Sequence, residues 1–563
     1  MDHGDSQHIQ FVQSPTERTP LLISAPSVDS INNPLQEKLQ IKKQKLVYSS
    51  ITLADIFQKS VHTTFITSFL LFTYTDLDLD YKNSLASYYL FGLTSGLFAS
   101  FLNMNIEYIL SRQNAIVGGF IIYTFGLGGM SGFTSHVDSS SPASYQYFVL
   151  IPLFFICIGE GMCKSCISDF TQLQFDEKFM PEKLSAYLKR LFWIGHIGAF
   201  IMILFLLGIV EFTAFELAYG LGCICLLAGL LCFMSGWNNF EVYGRNASSV
   251  VYLVKMIVDD AKEKKDLHME QRKRASSFHE SYEGRDFVGH WMDYAKHSFG
   301  GSFTDNLVDQ TKAFFKISLL FLSFIPYWVA NAQVYGTFMF QDFHLQRKIG
   351  NLRVPVTWMA LFHVASVLIF VQVLDKLIVP FCRRKGIIFT SHWKISIGMV
   401  FGIVAMICAA FVELVAHTSD INNQGEELIH QIGNKNLTFT DVHVLWTVPQ
   451  FCFLGISEVL IGLTGLSISN RLCKGLLLKA TSSLYYFTIA CGHFISFIIM
   501  QAGWFPQIGV DDSHKMVVFF LVMAGCCGLS LFFFLMVIWK LEFDKKPGIP
   551  KARINDLRST SLL

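Results

Sequence analysis

Charge is scarce in this sequence. Asp, Glu, Lys and Arg make up 15% of its 563 residues, where a soluble protein usually carries about a quarter. The shortage excludes an ordinary solvated globule. The two signs also nearly cancel, leaving a net charge of +1. No basic field is present to attract nucleic acid, which is excluded as a partner. A cysteine framework in the polar loops is lacking as well. Nearly all of the 13 Cys lie inside apolar runs, and none has zinc-type spacing in a polar loop. Neither a disulfide framework nor a metal site is expected, and the thiols read as small packing groups. The sequence also lacks a phosphate-binding Gly loop and a Ser/His/Asp elbow, so no catalytic residues, no cofactor and no enzyme activity are expected. The polar N-terminal stretch has no apolar core of the kind a cleaved signal peptide needs, so the first membrane span is expected to direct insertion itself.

Apolar residues are abundant. They make up 52% of the chain, with 54 Phe alone, and they cluster in runs of roughly twenty, the length that crosses a bilayer. Candidate spans fall at 51–75, 88–110, 114–134, 146–168, 190–211, 214–236, 312–336, 355–381, 393–415, 443–466, 475–501 and 515–539. The first is the least apolar. Backbone groups in lipid must be satisfied within the segment, so the spans must be helices. The reading is an all-α polytopic membrane protein with twelve transmembrane helices in two six-helix halves, 51–236 and 312–539. A cytoplasmic N-terminal tail (1–50), a linker (237–311) and a C-terminal tail (540–563) complete it. Lys and Arg in the short loops number twelve against six when both termini are cytoplasmic, which favours that orientation. The segment 347–353, with Arg347, Lys348 and Arg353 on the outside, is discordant. The linker run DDAKEKKDLHMEQRKR (259–274) reads as a solvated helix or disordered link, and otherwise as a surface for a cytosolic adaptor protein. Asn436 begins an Asn-x-Ser/Thr sequon in an outside loop, where it can be glycosylated; Asn246 begins one in the linker, where it should not be.

The informative residues are ionisable groups inside apolar spans, which usually face a polar cavity or a partner. Glu160 and Lys164 are four residues apart in the fourth span. They share a helix face and can pair, as a structural unit or as a site linked to protons or substrate. Glu458 lies midway along the tenth span with no basic residue within a turn. A lone buried carboxylate reads as facing a cavity and receiving a cation. Asp55, Lys59 and His62 in the first span either reach to the interface or titrate. Gln333 and Gln341 in the seventh bond either a ligand or neighbouring helices. His196, His363 and His493 read as helix–helix contacts, and Lys189 and Arg190 as interface anchors.

Several stretches resemble one family. GEGMCKSCISDFTQLQFDE (159–177) followed by YLKRLFWIGHIGA (187–199) is similar to the fourth- and fifth-span signature of the proton-coupled oligopeptide transporters, in the major facilitator superfamily. FIPYWVANAQVYGTFMFQDFHL (324–345), VPVTWMALFHVASVLIFVQVLDKLIVPFCRRKG (354–386) and LWTVPQFCFLGISEVLIGLTGL (445–466) resemble its seventh, eighth and tenth spans. The wording is most like the lysosomal peptide/histidine subgroup. The resemblance implies the major facilitator fold and uptake of small peptides or histidine, driven by a proton gradient through alternating access. Lys164 takes the position used in substrate binding and proton coupling, Glu458 the position that receives a peptide's amino terminus, and Gln333 and Trp328 cavity positions. The first span departs from the family. Asp55 to Lys59 (DIFQK) stands where the family has Glu-x-x-Glu-Arg, and Thr63 stands for its Tyr. Proton coupling then falls to Lys164, Glu160, Asp55 and His62, with Glu160 supplying the missing carboxylate. The altered first span also supports another role, a transport-impaired membrane scaffold or sensor for a cytosolic adaptor.

The N-terminal tail contains ERTPLL, with Glu17, Leu21 and Leu22 in the form of an acidic dileucine signal. Clathrin adaptors read such signals as an address to the endosomal and lysosomal membrane. The resemblance and this signal together point to an endolysosomal transporter.

Overall fold

The computed structural model describes residues 34–136, 147–174, 181–207, 215–241, 250–277, 290–387, 389–422, 428–432, 435–473, 475–502 and 513–541. Helices dominate. The first half comprises α1 (Pro34–Thr75), α2 (Tyr81–Asn105), α3 (Arg112–Thr134), α4 (Leu150–Leu173), α5 (Pro181–Met202, prolonged by a π turn Ile203–Leu207) and α6 (Phe215–Ser235). A linker helix, α7 (Val250–Ser277), follows. The second half opens with α8 (Asp305–Leu322), α9 (Ile325–Asn331) and α10 (Thr337–Phe343). It continues with α11 (Met359–Val373), a π turn Leu374–Ile378, α12 (Val379–Arg384) and α13 (Ser391–Asn422). Then come α14 (Val448–Glu458), a π turn Val459–Leu463, α15 (Thr464–Leu472), α16 (Gly475–Gln501) and α17 (Ser513–Leu541).

Among the described residues, ten helices are long and apolar enough to cross a membrane, and the α8–α9 pair, bent by 43°, supplies an eleventh. The first expected span, α1, is the one that hydropathy misses. Its composition explains why. The hydroxyls of Thr52, Ser60, Thr63, Thr64, Thr67 and Ser68 each donate to the carbonyl four residues earlier. These groups are polar by residue type, yet they are satisfied inside the helix and need no water. Phe65, Phe69, Leu70 and Phe72 are buried on the same helix, and α1 packs against α5 and α6. The helix also starts 17 residues before the expected span, absorbing the end of the expected tail. The second span is displaced too. It begins at Tyr81 rather than residue 88, because Asp80 caps it by accepting the Asn83 N–H at 3.3 Å.

The segment 347–353, discordant with the expected orientation, is a small folded cap. Lys348–Ile349 (β1) and Leu352–Arg353 (β2) form an antiparallel hairpin around Gly350, at φ +60°. Arg347 is 0% exposed and lies within electrostatic reach of the buried Asp342. It is therefore a buried structural cation, which the positive-inside rule does not govern. Leu428–Ile432 (β3) and Lys435–Phe439 (β4) form a second hairpin, and Asn436 lies on β4, paired in register with Gln431.

The linker is helical in α7, as one of its readings expected, but it is also a packed unit. Ile257 and Ala261 of α7 bury against Met292, Ala295 and Val308. Asp293 holds Lys296 at 2.8 Å and Lys312 at 2.5 Å. Burial pushes the Asp293 carboxyl up, but these two ammonium groups outweigh it and hold it below the usual carboxylate range.

Candidate functional site

Glycines set the close helix approaches that build the site. A Cβ on Gly159 of α4 would collide with the backbone of Tyr123 on α3, and one on Gly161 would come within 2.8 Å of the Ala99 N of α2. Glu160, between them, is 0% exposed. Its Oε1 lies 3.5 Å from Lys164 Nζ on its own helix and 3.4 Å from His62 Nδ1 on α1. The expected i, i+4 pair thus exists, and His62 joins it from another span. The Lys164 side chain remains 34% exposed. Its ammonium sits 5.9 Å from the ring centre of Tyr486 on α16, whose hydroxyl donates to the Lys164 carbonyl at 3.4 Å. One turn further down α1, Asp55 and Lys59 pair at 2.6 Å. Lys59 crosses α5 at Gly195, where a Cβ would stand 2.6 Å from its Cδ.

In the second half, Glu458 ends α14 where the helix widens into its π turn. Its Oε2 lies 3.1 Å from His363 Nε2 on α11. The contact is electrostatic rather than an in-line hydrogen bond. His363 Nδ1 faces the Tyr335 hydroxyl at 3.4 Å. The Glu458 side chain is 28% exposed, although it sits in the middle of an expected span. His363 is therefore more than the helix contact expected of it. His196 Nδ1 meets the Phe192 carbonyl at 2.8 Å, and its ring is within electrostatic reach of Glu458, Lys59 and His363. Glu458 is within the same reach of Lys164. One cluster, Glu160 with Lys164 and His62, thus lies on the first half, and the other, Glu458 with His363, on the second. His493 keeps its expected role, packed against Gly92 and 5.9 Å from the Tyr88 ring.

Contacts at each end join the halves. At one end, Tyr88 donates to the Ala332 carbonyl at 3.0 Å, and the Tyr74 ring stacks on Phe343 at 5.7 Å. At the other, Trp193 Nε1 donates to the Leu368 carbonyl at 3.0 Å, and Lys189 Nζ pairs with Asp375 at 2.9 Å. Lys189 is therefore a bridge to the other half and not merely an interface anchor. The contacts of Trp193, Asp375 and Tyr335 carry no signal in their own segments.

The family model described as PTR2, the POT family, matches residues 113–507. The chain belongs to the POT family. Members of this family are membrane transporters, not enzymes. The chain is 24% identical over 393 residues to Protein NRT1/PTR FAMILY 6.2 of Arabidopsis thaliana, covering 65% of this chain and 66% of that protein. It is 23% identical over 252 residues to solute carrier family 15 member 3 of Rattus norvegicus, covering 40% and 43%. A crystal structure of an auto-inhibited POT family peptide transporter superposes with a TM-score of 0.65 at 14% identity, over 90% of this chain and 99% of that one.

In this POT-family chain, the remaining expected site residues are placed as follows. Gln333 is buried; its amide donates to the Val329 carbonyl at 2.7 Å, and its oxygen accepts from Tyr89 at 2.5 Å and Thr337 at 3.1 Å. Trp328 packs edge-on to Tyr485 at 5.7 Å and against Gly492. Among the described contacts, neither meets Glu458. Glu17, Leu21 and Leu22 lie outside the described residues. The cluster as a whole offers a cation at Lys164 and an anion at Glu458, both partly exposed, with a second carboxylate wholly buried behind the cation. That arrangement suits a ligand bearing both charges.

Proposed function

We propose that this POT-family protein moves small peptides, or histidine, across the endolysosomal membrane by proton-coupled alternating access. One observation carries the reading: Lys164 on one half and Glu458 on the other both keep part of their side chains exposed although each lies inside an expected membrane span. Glu458 takes the substrate's ammonium group and Lys164 its carboxylate. Glu160, with His62 beside it, holds the coupling proton, and Asp55 neutralises Lys59. Gln333 and Trp328 shape the wall of the pathway. Release to one side requires the Lys189–Asp375 and Trp193–Leu368 contacts to part, and loading from the other requires the Tyr88–Ala332 contact to part. The dileucine residues Glu17, Leu21 and Leu22 engage a clathrin adaptor from a cytoplasmic tail, and Asn436 carries a glycan on the lumenal side.

The test is uptake of labelled histidine and of a dipeptide by cells carrying Leu21→Ala/Leu22→Ala, which brings the protein to the plasma membrane. Acid-stimulated uptake that is lost in Glu458→Gln supports the reading. No uptake at any pH, with surface expression confirmed, refutes it. The scaffold role is favoured by the self-neutralised Asp55–Lys59 pair and the packed linker, and that second outcome would support it.

A further inference from the structure

Glu458 needs a counter-charge when no ligand is bound, because an ionised carboxylate in an apolar span is costly alone. Among the described contacts, the ionisable nitrogen that touches it is His363 Nε2, at 3.1 Å. His363 is almost fully buried, and its other nitrogen faces the Tyr335 hydroxyl. A hydroxyl both donates and accepts. Tyr335 can therefore accept from a protonated imidazole and donate to a neutral one, so it serves His363 in either state. The pair is held close by Gly455. A Cβ there would collide with Ser366 Oγ of α11 and stand 2.6 Å from the His363 carbonyl oxygen.

We propose that His363 carries a proton against Glu458 in the empty site, and that the ammonium group of an arriving substrate displaces it. The inference rests on the substrate reading given above. The imidazolium N–H bond breaks, and the proton passes to cavity water as hydronium. The electron pair stays on the ring nitrogen, and the substrate ammonium becomes the counter-ion of Glu458. One positive charge leaves and one enters, so the carboxylate is never left unpaired. The other titratable and charged groups that bear on the pair are His196 of α5, Lys164 of α4, Tyr327 of α9 and Tyr485 of α16, with Lys59 of α1 acting through His196. In contrast to these, His363 is the one that touches the carboxylate among the described contacts.

Two measurements on the purified full-length protein test this. The first is a thermal-unfolding cycle of the wild type, His363→Gln, Glu458→Gln and the double variant, between about pH 5 and pH 8. Coupling between the positions should be present at the acid end and fall away at the alkaline end. His363→Asn repeats the cycle in case the Gln variant folds poorly. Coupling that does not change with pH overturns the proposal. The second is calorimetry of alanyl-alanine binding in two buffers of different ionisation enthalpy. The wild type should release about one proton per dipeptide at the acid end, and His363→Gln none. Equal release from both overturns the exchange, as does binding without release. Absence of any binding to the wild type, alongside a pH-dependent cycle, instead removes the peptide reading and the exchange with it, leaving the protonated pair.

Discussion

Glu160 gives the sharpest test of how the first half is built. Replacing it with Gln removes the charge but keeps the shape. The carboxylate is 0% exposed and lies 3.5 Å from Lys164 Nζ. At that separation two unit charges attract by about 5 kcal/mol in a protein-like dielectric. Desolvation of the wholly buried carboxylate offsets part of this, and Lys164, with a third of its side chain exposed, is screened. The net coupling left is about 1–2 kcal/mol. Thermal unfolding in detergent of Glu160→Gln, Lys164→Met and the double variant should return a coupling of that size at neutral pH. The acid stimulation of uptake should fall in Glu160→Gln as far as it does in Lys164→Ala. A coupling of zero together with unchanged pH stimulation would refute both the pairing and the idea that Glu160 replaces the carboxylate missing from the first span.

Three further outcomes follow from the geometry. Gly455→Ala forces α14 away from α11, and such overpacking costs about 1–3 kcal/mol; a lower melting temperature and weaker dipeptide binding check it, whereas Gly525→Ala, whose Cβ meets nothing within 4 Å, should leave both unchanged. Asp293→Asn should loosen the linker, read as faster proteolytic cleavage between α7 and α8 at neutral pH. Because the Asp293 carboxyl is held below its ordinary range, its stabilisation is complete above the unfolded value and is lost as pH falls through the folded one. The wild-type linker should therefore become labile in acid, while the variant loses that pH dependence. Lys189→Ala or Asp375→Ala should favour opening at that end. The pair is 24% and 39% exposed, so the shift is at most about 1 kcal/mol, or roughly fivefold in population. Thiol labelling of a cysteine placed beside Trp193 measures it, and the swap Lys189→Asp/Asp375→Lys should restore the wild-type rate.

The helical membrane architecture was legible in the sequence because hydropathy is additive along a segment, and the twenty-residue length is set by the bilayer. The i, i+4 pair Glu160–Lys164 was legible for the same reason, since one turn of helix decides who shares a face. The first span was harder to read. Its Ser and Thr hydroxyls count as polar by type but are satisfied inside the helix. The family resemblance was carried by short motifs on several spans, and the match over residues 113–507 bears it out.

What remained hidden were the pairings between spans. Neither His62, set among Lys59, Ser60, Thr63 and Thr64, nor His363, set among apolar residues, shows its partner in its own segment. Only the packing of α1 on α4 puts the first against Glu160, and only the packing of α11 on α14 puts the second against Glu458. Lys189 and Asp375 are 186 residues apart, and Arg347 looked like an exposed loop charge. By itself, the sequence determined that this is a bundle of membrane helices of the POT type with a carboxylate stranded in its tenth span. The tertiary structure alone decided which groups meet that carboxylate and the one in the fourth span. Helical periodicity orders neighbours within a turn, whereas contacts between helices depend on which glycine faces let two backbones approach.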